Sequence, residues 1–148
     1  MLYAGDKLLD AWLNLTSTLW NTRLVESMTF NEAHVLGILL RRDDDALPMT
    51  ATDLIRRTRL LKSQMNKILT TLEGRGFISR TRAQEDRRMI HIRLTAEGKA
   101  AYLEQHKAVE SILTQLIERI GAEHALSVAQ DLSAITESLD EIVPLPSK

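Results

Sequence analysis

The sequence predicts a mainly α-helical fold with one small β-hairpin. Apolar residues recur at helical spacing along most of the 148 residues, whereas Ile90, Ile92 and Leu94 recur at every second residue. Apolar residues make up 44% of the chain and charged residues 26%, which are ordinary values for a globular domain. We therefore expect residues 1–148 to form a single domain that buries its own core.

The composition excludes several kinds of chemistry. The chain contains no cysteine, which excludes disulfides, thiol nucleophiles and thiolate zinc sites. No run of 18 apolar residues occurs, so we expect no membrane-spanning helix. Asp6, Lys7 and Asp10 interrupt the start of the chain before the apolar region of a signal peptide could form, and we expect a cytoplasmic protein.

Two helices are predicted in the first third of the chain. The spacing of apolar residues predicts a first helix over about residues 6–25. Thr29 and Glu32 have the spacing of a capping box, so a second helix begins after Thr29 and ends before the acidic residues 43–45. Pro48 lacks the N–H that a helix interior needs, which predicts a loop or a short extended segment.

Two further helices are predicted over about residues 51–57 and 61–73. Thr50 and Asp53 have the spacing of another capping box at the start of the first of them. We expect Gly74 to end the second as its C′ residue. The buried side of that second helix is predicted to be the apolar stripe of Met65, Ile68, Leu69 and Leu72.

A β-hairpin comes next, followed by two long helices. The alternation of Ile90, Ile92 and Leu94 with their neighbours predicts a half-buried strand, whose partner is residues 77–82 across a polar tip at 83–87. A long helix then runs from a cap at Thr95 to about Ile120, and Gly121 interrupts it. The last helix, over about 123–142, has apolar residues at helical spacing, namely Ala125, Val128, Leu132, Ile135, Leu139 and Ile142.

The net charge of −1 hides a strongly uneven distribution of charge. Residues 56–93 contain eleven Lys and Arg but only three acidic residues, so this segment carries +8 and the rest of the chain −9. Such asymmetry indicates a face that meets a polyanion, and the alternative is a solvated charged surface.

Two short helices joined by a few residues, the second with a donor-rich face, are the components of a helix-turn-helix that reads DNA. A hairpin tip with arginines suits a narrow minor groove, where the potential is negative. The candidate contacts to bases or phosphates are Lys62, Ser63, Gln64, Asn66, Lys67, Thr70, Asp86, Arg87 and Arg88. The candidate phosphate contacts beside them are Arg56, Arg57 and Arg59, whose alternative role is a solvated helix end.

The sequence resembles the MarR family of winged-helix transcriptional regulators. The resemblance is carried by Thr50–Gly76, which includes a Lys-Ser pair and a Leu-Glu-x-x-Gly helix end, and by Phe77–Leu94 with its Asp-x-Arg wing. A Leu-Thr-x-x-Gly motif, residues 94–98, follows, and the helical frame extends the resemblance over about residues 6–143.

The resemblance implies a winged helix-turn-helix lobe over about residues 30–94, with dimerisation helices over about 6–25 and 95–143. It implies a homodimer on a pseudo-palindromic operator, acting as a repressor that a small ligand relieves. The family's recognition helix falls on Lys62–Thr70, and its wing arginine falls on Arg88, which Asp86 orients. Leu61 departs from the pattern, because members often have a polar capping residue there.

The resemblance also implies an effector crevice, for which Trp12, Trp20, Met28 and His34 are candidates, although such side chains are more often core. The spacing of His106 and Glu110 would let both bind one metal ion, with His34 as a further ligand. A metal-responsive regulator is therefore an alternative. The chain lacks a dense cluster of metal ligands, so we expect no metal and no cofactor. It also lacks phosphate-binding loops and hydrolase motifs, so we expect no enzyme. A winged helix that binds protein or RNA is the remaining alternative.

Overall fold

The predicted fold, mainly α-helical with one β-hairpin, is confirmed. The computed structural model describes residues 2–21, 27–42 and 48–143, which divide into two compact units, residues 1–108 and residues 109–148. The organisation of residues 1–148 as one domain stays a prediction. The described elements are α1 (Leu2–Asn21), α2 (Phe30–Arg42), α3 (Ala51–Thr58), α4 (Lys62–Gly74), β1 (Ile78–Arg82), β2 (Ile90–Leu94), α5 (Ala96–Ile120) and α6 (Ala122–Ile142).

The core of the first unit is formed by α2, α3, α4 and the base of the hairpin. Burial of a large aliphatic side chain contributes about 1.5–3 kcal/mol, so each of these buried side chains adds to the stability of the unit. The stripe predicted on α4 is buried, except that Ile68 is only partly buried. The largest fully buried side chains are Val35, Leu36, Leu54, Met65, Leu69 and Leu72.

Both predicted capping boxes are present. The N–H of Thr29 donates to Glu32 Oε2 at 2.9 Å, and the N–H of Glu32 donates to Thr29 Oγ1 at 3.2 Å. The N–H of Thr50 donates to Asp53 Oδ2 at 2.9 Å, and the N–H of Asp53 donates to Thr50 Oγ1 at 3.3 Å. These bonds satisfy the first N–H groups of α2 and α3, which have no partner within the helix, and so fix where each helix begins.

The prediction that Gly74 is the C′ residue of α4 is wrong. Gly74 is the last helical residue, and Gly76 adopts the left-handed conformation with φ of +74°. The N–H of Gly76 donates to Glu73 O and the N–H of Phe77 to Leu72 O, each at 2.9 Å, which is a Schellman ending two residues later than predicted. α4 therefore continues to Gly74, and β1 begins four residues later at Ile78.

The hairpin pairs β1 with β2 in the antiparallel sense, with Arg80 opposite Ile92 and Arg82 opposite Ile90. Ile92 is buried and Ile90 is 45% exposed, so the hairpin leaves the core as it approaches its tip. The segment before α3 joins the sheet at one point, because the N–H of Ile92 donates to Met49 O at 2.7 Å. β2 is therefore hydrogen-bonded along one edge to β1 and at one point of the other edge to Met49.

The base of the hairpin is closed by contacts between residues 76–77 and 95–98, which we call the wing clasp. The Thr95 hydroxyl donates to Gly76 O at 2.6 Å and accepts from the N–H of Gly98 at 3.0 Å, while the N–H of Thr95 donates to Phe77 O at 3.0 Å. A Cβ on Gly98 would lie 2.0 Å from Phe77 O, so only glycine fits. These contacts explain why the Leu-Thr-x-x-Gly motif has threonine at position 95 and glycine at position 98.

The other helices carry large apolar side chains that are exposed in the single chain. α1 begins earlier than predicted, and residues 22–25 of the predicted first helix lie outside the described residues. The chain turns from α5 into α6 at Gly121, as predicted. None of the described helices is long and apolar enough to span a membrane. The exposed apolar side chains include Leu8, Leu9, Trp12 and Leu13 in α1, Ile112, Leu113, Leu116 and Ile117 in α5, and Leu126 and Leu132 in α6.

We expect Gly98→Ala to destabilise the protein by about 1–3 kcal/mol or more, because the added methyl group meets backbone that can move only with the whole hairpin. Gly74→Ala is the matched control, since nothing lies within 4 Å of its added Cβ and the residue is helical. The control should be stabilised by about 0.5–1 kcal/mol. Urea unfolding at equal protein concentration measures both, and equal stabilities would contradict the wing clasp.

Candidate nucleic-acid interface

α3 and α4 form a helix-turn-helix with a connection of three residues, Arg59, Leu60 and Leu61. Arg59 ends α3 in the left-handed conformation with φ of +58°, and its N–H donates to Ile55 O at 2.8 Å. A left-handed residue reverses the chain direction within one position, which allows α4 to begin after so short a connection. Leu60 packs against the core and anchors the connection.

One side of α4 is polar and exposed. Ser63, Asn66, Lys67 and Thr70 stand at i, i+3, i+4 and i+7, so they share one face, and all four are exposed. Lys62 is also exposed and lies at the first turn. The buried stripe of α4 occupies the opposite face, so the core holds the helix with its hydrogen-bonding groups in solvent.

Gln64 has a local role that the sequence did not reveal. Leu61 is the N-cap of α4 and makes no side-chain capping bond, and the N–H of Leu61 donates to Gln64 Oε1 at 3.0 Å. Gln64 therefore supplies half of a capping box for a residue that cannot accept a hydrogen bond through its side chain. It also lies about 100° around the helix from Ser63, away from the centre of the polar face.

The hairpin tip is shaped by Asp86. The N–H of Arg88 donates to Asp86 Oδ1 at 2.9 Å, and the N–H of Met89 donates to Asp86 O at 2.9 Å. Asp86 thus holds the backbone of Arg88, in the manner of an Asx turn, and leaves the guanidinium group exposed. Arg87 is exposed beside it, so the tip presents two adjacent cations to solvent.

Two arginines of the basic segment instead stabilise the fold. Arg80 Nε donates to Glu73 Oε2 at 2.8 Å and its Nη2 also contacts that oxygen, which joins β1 to the end of α4. Hydrogen bonds from Arg80 hold the pKa of Glu73 below its usual value. The guanidinium of Arg75 lies 4.5 Å from the centre of the Phe77 ring and 3.7 Å from Glu32 Oε2. No local sequence pattern signals these pairs, because each depends on the tertiary fold.

The arginines of α3 remain accessible. Arg56 and Arg57 are exposed, and Arg56 Nη1 lies 3.9 Å from Asp53 Oδ1. Partial burial raises the pKa of Asp53, but the hydrogen bonds from Thr50 and the two nearby arginines outweigh it, so the net shift is downward. The carboxylate is therefore kept charged at the N-terminus of α3, where negative charge is favoured.

The four candidate effector residues differ in environment. Met28 is buried in the core, Trp12 is 48% exposed on α1, and the side chain of Trp20 lies outside those described. Partial burial, with the nearby charge of Arg41, lowers the pKa of His34. In the described segments, no three His, Asp or Glu side chains come together in a way that could hold a metal ion.

Comparison with known proteins gives consistent matches. The sequence profile described as the MarR family matches residues 26–89, which cover α2, α3, α4 and the hairpin up to the start of β2. The homoprotocatechuate degradative operon repressor of Escherichia coli is 29% identical over 93 residues, covering 63% of this chain and 58% of the repressor. The profile match covers 64 of the 148 residues, so this part of the chain is similar to the MarR family. The matches span 56–62% of the lengths of three curated relatives.

Solved structures of MarR-type regulators have the same fold. PcaV of Streptomyces coelicolor, in complex with its natural ligand, has a TM-score of 0.72 at 19% identity, covering 88% of this chain and 89% of PcaV. FabT of Streptococcus pneumoniae, in complex with DNA, has a TM-score of 0.68 at 18% identity, covering 95% of this chain and 98% of FabT. Three of the curated relatives are named transcriptional regulators or repressors.

The lowered pKa of Asp53 makes part of the stability depend on pH. A carboxylate whose pKa is lower in the folded state contributes stability above its ordinary value of 3.8 and loses it as the pH falls through the lowered value. We expect Asp53→Asn to be less stable than the wild type by about 0.3–1 kcal/mol at neutral pH. The difference should shrink as the solution is acidified.

Urea unfolding at a series of pH values measures this difference. The same substitution in a Thr50→Ala background should cost less, because the Thr50 hydroxyl no longer stabilises the charged carboxylate. A difference between wild type and Asp53→Asn that is constant with pH would contradict the role of the charge.

Proposed function

We propose that this protein is a homodimeric regulator that binds a specific double-stranded operator and represses transcription until a small ligand releases it. One observation carries the proposal: the polar face of α4 and the arginines of the hairpin tip are both exposed, while the wing clasp joins the two elements that bear them. The similarity of residues 26–89 to the MarR family and the DNA complex of FabT support it.

In this proposal α4 lies in the major groove of the operator. Ser63, Asn66 and Lys67 present donors and acceptors suited to base edges, and Lys62 and Thr70 extend the same surface. The capping role of Gln64 makes it the candidate with the weakest support, because its side-chain oxygen is already an acceptor within the helix. Arg56, Arg57 and Arg59 are proposed to contact phosphates beside the groove.

The hairpin tip is proposed to enter the adjacent minor groove. Among the described residues, none forms an ion pair with Arg87 or Arg88, so both guanidinium groups can meet the negative potential there. Asp86 serves this contact indirectly, by fixing the backbone that carries Arg88.

A gel-shift titration of the purified protein against its own upstream region and an unrelated duplex, at two salt concentrations, tests the proposal. We expect tighter binding to the upstream region and a steep loss of affinity at the higher salt concentration.

Arg88→Ala should weaken binding by about 1–3 kcal/mol without a change in stability. Lys107→Ala is the control, since it removes an exposed cation outside the basic segment. Unchanged affinity in folded Arg88→Ala would remove the hairpin from the interface.

The homodimer is supported by the exposed apolar faces of α1, α5 and α6. A soluble monomer seldom exposes so many large apolar side chains along its helices, and a second copy of the chain would cover them. Leu132 is 48% exposed near the middle of α6, and Ile135 is partly buried one turn further on. A dimer also matches the two half-sites of a palindromic operator.

We expect Leu132→Glu to yield monomers that bind DNA poorly, because the charge would have to be buried in the subunit interface. Gln130→Glu adds the same charge on another face of α6 and should leave the dimer intact. Sedimentation velocity gives the oligomeric state of each variant. A tight dimer of Leu132→Glu would show that the interface lies elsewhere.

Repression relieved by a ligand is supported by relatives: one is named a degradative operon repressor, and PcaV is described with its natural ligand. In this chain Trp12 and His34 expose an aromatic and an imidazole group suited to an aromatic or acidic effector. Met28, which is buried in the core, and Trp20 are also proposed as effector contacts. Release of the protein–DNA complex by small acids identifies such an effector.

A further inference from the structure

Leu61 is an exposed apolar residue in the middle of the polar surface. Its exposed fraction of 58% is the largest of any large apolar side chain within residues 48–94. Leu60 packs on the core and Leu61 has extended backbone, with φ of −64° and ψ of 150°. Since successive side chains of an extended segment point in opposite directions, Leu61 points away from the core.

Neither the core nor the helix cap explains a leucine at this position. A Ser, Thr, Asp or Asn side chain would cap α4 better, whereas Leu61 makes no capping bond and its own N–H is satisfied by Gln64. The exposed neighbours along the chain, Arg59, Lys62 and Ser63, are all polar. An apolar side chain is thus held in solvent at the N-cap of α4.

We propose that Leu61 determines operator specificity by packing against the C5 methyl group of a thymine, an inference that rests on the proposed function. The N-terminal residues of a recognition helix contact base edges in the major groove. The thymine methyl group is the one apolar group that a base edge displays there, and apolar side chains contact it. Thymine is favoured at the contacted position because the contact removes both groups from water.

The experiment replaces thymines of a duplex one at a time by deoxyuridine, which removes only the methyl group. The probe is the tightest-binding duplex selected by the wild-type protein from a random-sequence pool. We expect one thymine in each half-site whose replacement weakens wild-type binding about fourfold, the scale of one buried methyl group. Leu61→Ala should bind the thymine and deoxyuridine duplexes equally well at that position.

Two further variants separate specificity from folding. Leu61→Met keeps an apolar side chain and should restore the preference for thymine. Leu61→Ser supplies a side-chain cap, so its unfolding midpoint should equal or exceed that of the wild type while the preference is lost. If Leu61 were merely structural, a substitution that keeps or raises the unfolding midpoint would not abolish the preference for thymine.

The outcomes distinguish this inference from the proposed function. If the wild type selects and binds a duplex but every thymine-to-deoxyuridine change has the same effect in the wild type and in Leu61→Ala, the role of Leu61 is overturned and operator binding stands. The same holds if no thymine matters. If the wild type binds no duplex in the pool, the proposed function and this inference fail together.

Discussion

The wing clasp is the constraint on which the rest of the first unit depends. α4 ends and β1 begins within residues 74–78, and β2 ends and α5 begins within residues 94–96. The Thr95 hydroxyl and the backbone of Phe77 bond these two junctions to one another. Gly98 is required because its missing side chain makes room for the Phe77 carbonyl. The orientation of the hairpin relative to α4 is therefore set by hydrogen bonds of the Thr95 hydroxyl and of the backbone, together with the Arg80–Glu73 pair.

The positive charge of the central segment serves two different purposes. Arg75 and Arg80 stabilise the junction of α4 with the hairpin through Glu32, Glu73 and the face of Phe77. The cations of the polar face and of the hairpin tip are exposed. The charge available to a polyanion is thus smaller than the +8 of the segment, and the ordered cations help to hold the exposed ones in position.

Local patterns predicted most of the fold. Capping boxes at Thr29 and Thr50 could be identified because donor and acceptor lie three residues apart in the chain. The end of α4 could not be fixed, because Gly74 and Gly76 are both able to adopt positive φ and the clasp decides between them. The pairing of Arg80 with Glu73 was missed because it exists only after the hairpin folds back on α4. The candidate contact residues of α4 and of the hairpin tip stay predictions, since exposure permits a contact without identifying its partner.

In the proposed function, the stability of the protein and its DNA binding make opposite demands on Arg59. A residue other than glycine in the left-handed conformation costs about 1–2 kcal/mol, and Arg59 is the one such residue in the described parts of the chain. Glycine at this position would relieve the cost and would also remove a cation beside the polar face. In the proposed function Arg59 contacts a phosphate, so the substitution that raises stability here would weaken DNA binding, and a variant selected for heat resistance alone would lose affinity.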